Sequence, residues 1–249
     1  MRSPKRSLVC LMTVAIGLFV LGSPPQASAT FALYLQEDAG PITQVALAGS
    51  DFGSLTTAAP NIVFGDYALS LFSAFASDAA GGSNLLSSTT RIASTTAATH
   101  TLNLFVSQTD YTLPAGSTLS VQSGMGGTYG AESGFTGGAT FQMWADSGNG
   151  LLTITGGPGI LSNGLQAAIP PTGHGTTFNT GVDPSGIFTR IGLYSLTSRT
   201  SITTTGRGDV NYSNHVLVSA VPEPGTAGTL LLMGLGFVGM FIGVRRRMS

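Results

Sequence analysis

The chain is short of charge. Only 8% of its 249 residues are Asp, Glu, Lys or Arg, against ~25% in an average soluble domain. Ten cations and eleven carboxylates leave a net charge of −1. No basic excess is available to neutralise phosphates, so no nucleic-acid partner is expected. Charge-driven disorder is excluded for the same reason. Cysteine is nearly absent. Cys10 is the single one and lies in an apolar N-terminal run, so stability has to come from burial and backbone pairing rather than from a disulfide. Lysine occurs once, at position 5. A Gly-x-Ser-x-Gly elbow and a P-loop are both missing, which removes two common enzyme signatures. The three histidines, His100, His174 and His215, lack the paired spacing of a zinc motif. Each reads as an isolated surface or edge residue, so neither a metal site nor a cofactor is expected.

What is present begins with two apolar ends. Arg2, Lys5 and Arg6 precede an uncharged run over residues 8–21. That run has the length of a secretory h-region and is short for a bilayer span. Pro24 and Pro25 break it, and Ala27-Ser28-Ala29 fits a small-x-small cleavage site. Residues 1–29 therefore read as a signal peptide cut by signal peptidase at Ala27 and Ala29, with Thr30 as the new start. At the other end, Val221-Pro222-Glu223-Pro224 leads into an uncharged run over residues 227–244 and then Arg245-Arg246-Arg247. The prolines keep the entry extended. The run is long enough to read as a single transmembrane helix, and the arginines hold its end in the cytoplasm. Within it, residues 234–239 match Gly-x-Gly-x-x-Gly. Lying inside a span rather than between a strand and a helix, they do not read as a nucleotide site.

Extended Pro-Glu-Pro, short Gly-rich span and terminal Arg cluster together resemble the PEP-CTERM sorting domain of Gram-negative bacteria. The resemblance covers about residues 221–247, within a sorting segment read as 221–249. It implies recognition by exosortase, a membrane-embedded cysteine-type transpeptidase or protease that cuts near Pro222, Glu223 and Pro224. Arg245, Arg246 and Arg247 would act as the retention signal. It also implies an inner-membrane-anchored precursor, release to the cell surface, and a setting of exopolysaccharide and biofilm producers. Exopolysaccharide is the further partner that this setting suggests.

Residues 30–220 form the remaining body. It carries four arginines against ten carboxylates, an excess of six negative charges, so the body is mildly acidic. Its apolar residues alternate with period two. Phe31, Leu33 and Leu35 share one face, as do Leu102, Leu104 and Val106, then Phe141 and Met143, then Val216 and Val218. Ile187, Thr189, Ile191 and Leu193 suggest another strand. Such runs, separated by Gly-, Pro- and Asn-rich turns, predict an all-β antiparallel sandwich, with a jelly roll as one candidate topology. Asn149-Gly150 predicts a hairpin joining residues 141–145 to 151–155. Residues 87–101, rich in Ser and Thr, read as an edge strand or a loop. Residues 156–186 read as a long surface loop with one short helix over 163–168.

Chemistry in the body is sparse. Asp146-Ser147-Gly148-Asn149-Gly150 is the nearest approach to a calcium loop and reads better as a turn. Glu132, in Gly-rich surroundings near Tyr129 and Trp144, offers a sugar-facing surface, although strand aromatics usually pack in a core. Arg207-Gly208-Asp209 resembles the adhesion tripeptide and reads as a turn. The expectation is a non-catalytic structural or adhesive protein of the cell surface or matrix. The alternative is a secreted carbohydrate-binding module or polysaccharide-active enzyme carrying the same tail. An exposed aromatic strip, or two carboxyls across a cleft, would favour that alternative. A third reading is a permanently anchored periplasmic protein.

Overall fold

The computed structural model describes residues 29–50, 53–56, 61–130, 137–168, 175–181 and 185–222. The signal segment before Ala29, the span over 227–244, Glu132, His174, Glu223, Pro224 and the terminal arginines lie outside the described residues. What is described is all-β: two antiparallel sheets packed as a sandwich, with no helix among the described residues.

In chain order the strands are β1 (Ala29–Glu37), β2 (Thr43–Ser50), β3 (Ser54–Thr56), β4 (Asn61–Phe64), β5 (Tyr67–Ser77), β6 (Ser83–Ser94), β7 (Thr99–Tyr111) and β8 (Thr118–Tyr129). They continue with β9 (Gly138–Asp146), β10 (Ile160–Ser162), β11 (Gln166–Ala167), β12 (Thr177–Asn179), β13 (Ser185–Thr189), β14 (Tyr194–Thr205) and β15 (Asp209–Ala220). The first sheet runs β10-β9-β14-β7-β1-β2, with β11 also on β9. The second runs β12-β8-β15-β6-β5-β3, with β13 also on β8 and β4 on β5.

Alternation builds the core. Phe31, Leu33, Leu35, Leu102, Leu104, Val106, Phe141, Met143, Val216 and Val218 are all buried between the sheets. In a two-layer fold every inward position meets the opposite sheet, so period two is the expected signature.

Several sequence expectations are corrected. Residues 151–155 are not the return strand of a hairpin. The partner of β9 after its turn is β10, with Ile160 opposite Asp146. The cause is Asp146, whose carboxylate accepts Gly148 N–H at 2.7 Å, Gly150 N–H at 3.1 Å and the Thr153 hydroxyl at 2.7 Å. These bonds wrap the chain into a loop. Leu152 and Ile154 then lie on the outer face of the first sheet, against Ala32, Tyr34 and Phe105. The same bonds mark this segment as a self-satisfied turn.

Residues 87–94 are neither an edge strand nor a loop. They belong to β6, which lies between β15 and β5. Its buried Ser87 is matched by Asn214, whose Oδ1 accepts both the Ser87 amide and its hydroxyl at 3.0 Å. A polar core position is tolerated when its donors are met. Residues 187–193 do not form one strand. β13 ends at Thr189, and its inward residue is Phe188, leaving Ile187 and Ile191 exposed. Within 163–168 there is no helix, and Gln166–Ala167 is the short strand β11.

Candidate functional site

The register fixes two poles. At one pole β1 begins, with Phe31 opposite Gln108 near the end of β7. At the same pole β15 ends, with Ala220 opposite Leu119 at the start of β8. The β7–β8 connection, residues 112–117, joins these two strand ends. So the described chain enters and leaves at one pole. Ala29, a residue of the expected cleavage site, is the buried first residue of β1.

This pole is firmly tied. Asp78 accepts Thr112 N–H at 2.8 Å, the Thr112 hydroxyl at 2.6 Å and Leu113 N–H at 2.9 Å, and the Ser83 hydroxyl at 2.7 Å. Arg190 donates to the carbonyls of Pro114, Gly116 and Gly192 at 2.7–3.1 Å and stacks 5.3 Å from the Tyr194 ring centroid. Val221 N–H donates to Thr118 O at 3.2 Å. Pro222 follows, exposed. Proline has no N–H to continue a ladder, so the fold's pairing stops where Pro222 begins.

The opposite pole carries the densest charge among the described residues. β1 ends at Glu37, with Asp38 in the turn after it; Asp66 sits in the β4–β5 turn; His100 is the second residue of β7. Asp38 uses both oxygens: Oδ1 accepts Thr101 N–H at 2.8 Å, and Oδ2 lies 2.8 Å from His100 Nδ1. On the other side of the ring, Asp66 Oδ2 lies 3.2 Å from Nε2. Glu37 Oε1 is 4.0 Å from Nδ1 and accepts Asp66 N–H at 3.1 Å. Gly65, at φ +55°, packs so closely that a Cβ would overlap the Glu37 carboxylate. The hydrogen bond to Asp38 is the main cause raising the His100 pKa above the ordinary histidine range, and the same bond lowers that of Asp38. His100 is thus not isolated. Its partners lie 34–63 residues away in sequence, beyond the reach of any local motif. His215 is separate, on the outer face of the second sheet beside a shallow groove of about 520 Å³ that also includes Phe75 and Leu86.

The proposed sugar-facing grouping does not assemble around Tyr129 and Trp144. Tyr129 is in the core, 4.5 Å from Phe178. Trp144 is on the first sheet, with Arg199 stacked 5.4 Å from its ring centroid and bonded to Gln142 at 2.7 Å. Trp144, Tyr34 and Phe105 are 3%, 9% and 1% exposed, too covered to stack on a sugar ring. In Arg207-Gly208-Asp209, the aspartate is committed to Arg91 Nε at 2.7 Å, which leaves it poorly placed as an adhesion ligand.

No curated protein matches this chain. Residues 220–247 match the family described as the PEP-CTERM protein-sorting motif, and that match begins at the last residue of β15. The chain therefore carries a PEP-CTERM protein-sorting motif at its C-terminus, which makes it an exosortase-sorted protein with a membrane-anchored, exported precursor.

Proposed function

We propose that this is a non-catalytic surface or matrix protein, a β-sandwich released by exosortase next to Pro222, Glu223 and Pro224. The observation that carries this reading is the coincidence of two boundaries: the backbone ladder ends at Val221, and the sorting motif begins at residue 220. A cut in the Pro-Glu-Pro segment removes no strand and no buried core residue described here. The tied loop at residues 112–117 keeps the exit strand fixed while the following segment is presented to a membrane enzyme. The signal segment and the tail join the sandwich at the same pole, so both hydrophobic ends face one membrane surface during export. The body would then serve the cell surface, with exopolysaccharide as the partner to test first.

Mass spectrometry of the C-terminus, in cells that make exosortase, tests this directly. The expected product ends within or near residues 222–224. Retention of Arg245, Arg246 and Arg247 on the surface-exposed protein overturns the sorting reading. A glycan array tests the rival: strong, specific sugar binding would replace the structural role with carbohydrate recognition.

A further inference from the structure

We propose that the β13–β14 turn, residues 190–193, is a lipid-contact loop: in the anchored precursor Ile191, with Leu193 beside it, enters the bilayer surface next to the tail. The proposal rests on the anchored precursor that the sorting motif implies. Ile191 is 98% exposed and Leu193 37%. One exposed aliphatic side chain is ordinary on a protein surface. Position, bracing and charge set this one apart.

The turn lies beside the chain's exit. Thr118, at the start of β8, stands between the two. On one side its carbonyl accepts Val221 N–H at 3.2 Å. On the other, Thr189 is opposite Thr118, and Arg190 N–H donates to Ser117 O at 2.9 Å. Two strand spacings, about 10 Å, therefore separate Arg190 from Val221. The uncharged run begins at residue 227. The five residues 222–226 reach at most about 18 Å. While the tail is in the membrane, this pole is held on a short tether above the lipid.

The tip is braced rather than free. Arg190 holds the carbonyls of Pro114, Gly116 and Gly192 at 2.7–3.1 Å, so the backbone is pinned on both sides of Ile191. Held in water, its apolar surface gains nothing; moved into lipid, it leaves water at no further cost in loop ordering. Charge is spent here as well. The turns over 78–82, 112–117 and 190–193 contain two charged residues, Asp78 and Arg190, of opposite sign and both committed to internal bonds. On the first sheet's side of the pole, Asp110 is bonded to Asn149 and Asp146 to its own loop amides. The opposite pole gathers Glu37, Asp38, Asp66 and His100. The sandwich thus turns an apolar, charge-balanced end toward its anchor. One or two aliphatic side chains are too little for a protein interface, which takes about 800 Å² from each partner, but they suffice beside an anchor already in place.

The test uses the full chain carrying Cys10→Ser, in phosphatidylcholine vesicles with a nitroxide on the lipid acyl chains. An environment-sensitive fluorophore is placed on one introduced cysteine at a time. The Ile191→Cys probe should be quenched and shifted to the blue. The Val63→Cys probe should be neither: Val63 is 74% exposed beside the turn at the opposite pole, so it controls for the greasiness of the label. A Leu232→Cys probe reports insertion of the tail itself. With the probe at Leu193→Cys, adding Ile191→Asp should lower the ratio of inserted to free turns by about tenfold, roughly the worth of one aliphatic side chain. Circular dichroism should stay unchanged, because Ile191 lies outside the core. A quenched Leu232 probe with an unquenched Ile191 probe overturns the lipid contact and leaves the anchor standing; a loop reserved for the processing enzyme gives this pattern. Loss of quenching at both positions overturns the anchor and the contact together. Equal quenching at Val63 and Ile191, or a Leu193 probe indifferent to Ile191→Asp, also overturns the contact.

Discussion

Raising the pH should unfold this sandwich in one step, and the tyrosines should report it. All six tyrosines are buried: Tyr34, Tyr67, Tyr111, Tyr129, Tyr194 and Tyr212. Burial raises the pKa of every one. Tyr67, Tyr129 and Tyr212 are pushed up to about 12 from the ordinary value of 10.0. Three hydroxyls also donate to fixed carbonyls, Tyr67 to His100 O at 2.6 Å, Tyr111 to Asn84 O at 2.8 Å and Tyr194 to Leu113 O at 2.5 Å, and these bonds require the neutral phenol. A two-unit shift is worth about 3 kcal/mol, so the three quantified residues together represent about 8 kcal/mol. That is comparable to the whole stability of an ordinary domain, about 5–15 kcal/mol. The folded state keeps protons that the unfolded chain releases near pH 10. Stability is therefore intact below about pH 10 and falls as pH rises toward 12. The assay is tyrosinate absorbance, followed alongside far-ultraviolet circular dichroism and the fluorescence of the single tryptophan, Trp144. The three signals should change together above pH 10. Tyrosinate absorbance rising with a midpoint near 10, while the sheet signal and Trp144 fluorescence stay constant, would refute the reasoning.

Other perturbations test individual contacts. Phe141→Ala, at a 0% exposed core position, should cost about 3–5 kcal/mol in urea unfolding. Asn214→Leu removes the acceptor for Ser87 N–H and the Ser87 hydroxyl, together with the 2.8 Å bond to Thr200; chemical denaturation should show a loss of about 2–4 kcal/mol. Gly65→Ala places a side chain at φ +55° and into the Glu37 carboxylate, so it should destabilise by about 1–2 kcal/mol from backbone conformation alone. Asp78→Ala frees the 112–117 connection, and amide exchange at Thr112 and Leu113 should accelerate while the centre of β7 keeps its protection.

The layer architecture was legible because its signal is local. Period two along residues 31–35, 102–106 and 141–143 directly marks which side chains meet the opposite sheet. Local reasoning failed where a side chain redirected the backbone. Asn149-Gly150 has hairpin chemistry, yet three bonds to the Asp146 carboxylate turn the chain away from its expected return. It also failed at β6, where Ser and Thr suggested exposure and the buried partner Asn214 lies 127 residues away. The outward Phe105 and Trp144 look like core by composition, and they are buried, but under a loop or beside an arginine rather than between the sheets. The sorting tail was readable for the opposite reason: its three elements are contiguous. The cluster at His100 was not readable, because antiparallel pairing and the contact between sheets bring its members together only in three dimensions.

The length of β7 has a consequence for the anchored precursor. His100 and Tyr111 stand near the opposite ends of that 13-residue strand. At about 3.3 Å per residue the two poles are roughly 40 Å apart. Physiological salt screens charge over about 8 Å, so lipid headgroups at the entry pole exert almost no field on the far one. The acid–imidazole cluster therefore equilibrates with the external medium even before the tail is cut, and the charge on His100 follows the pH outside rather than the membrane the precursor hangs from.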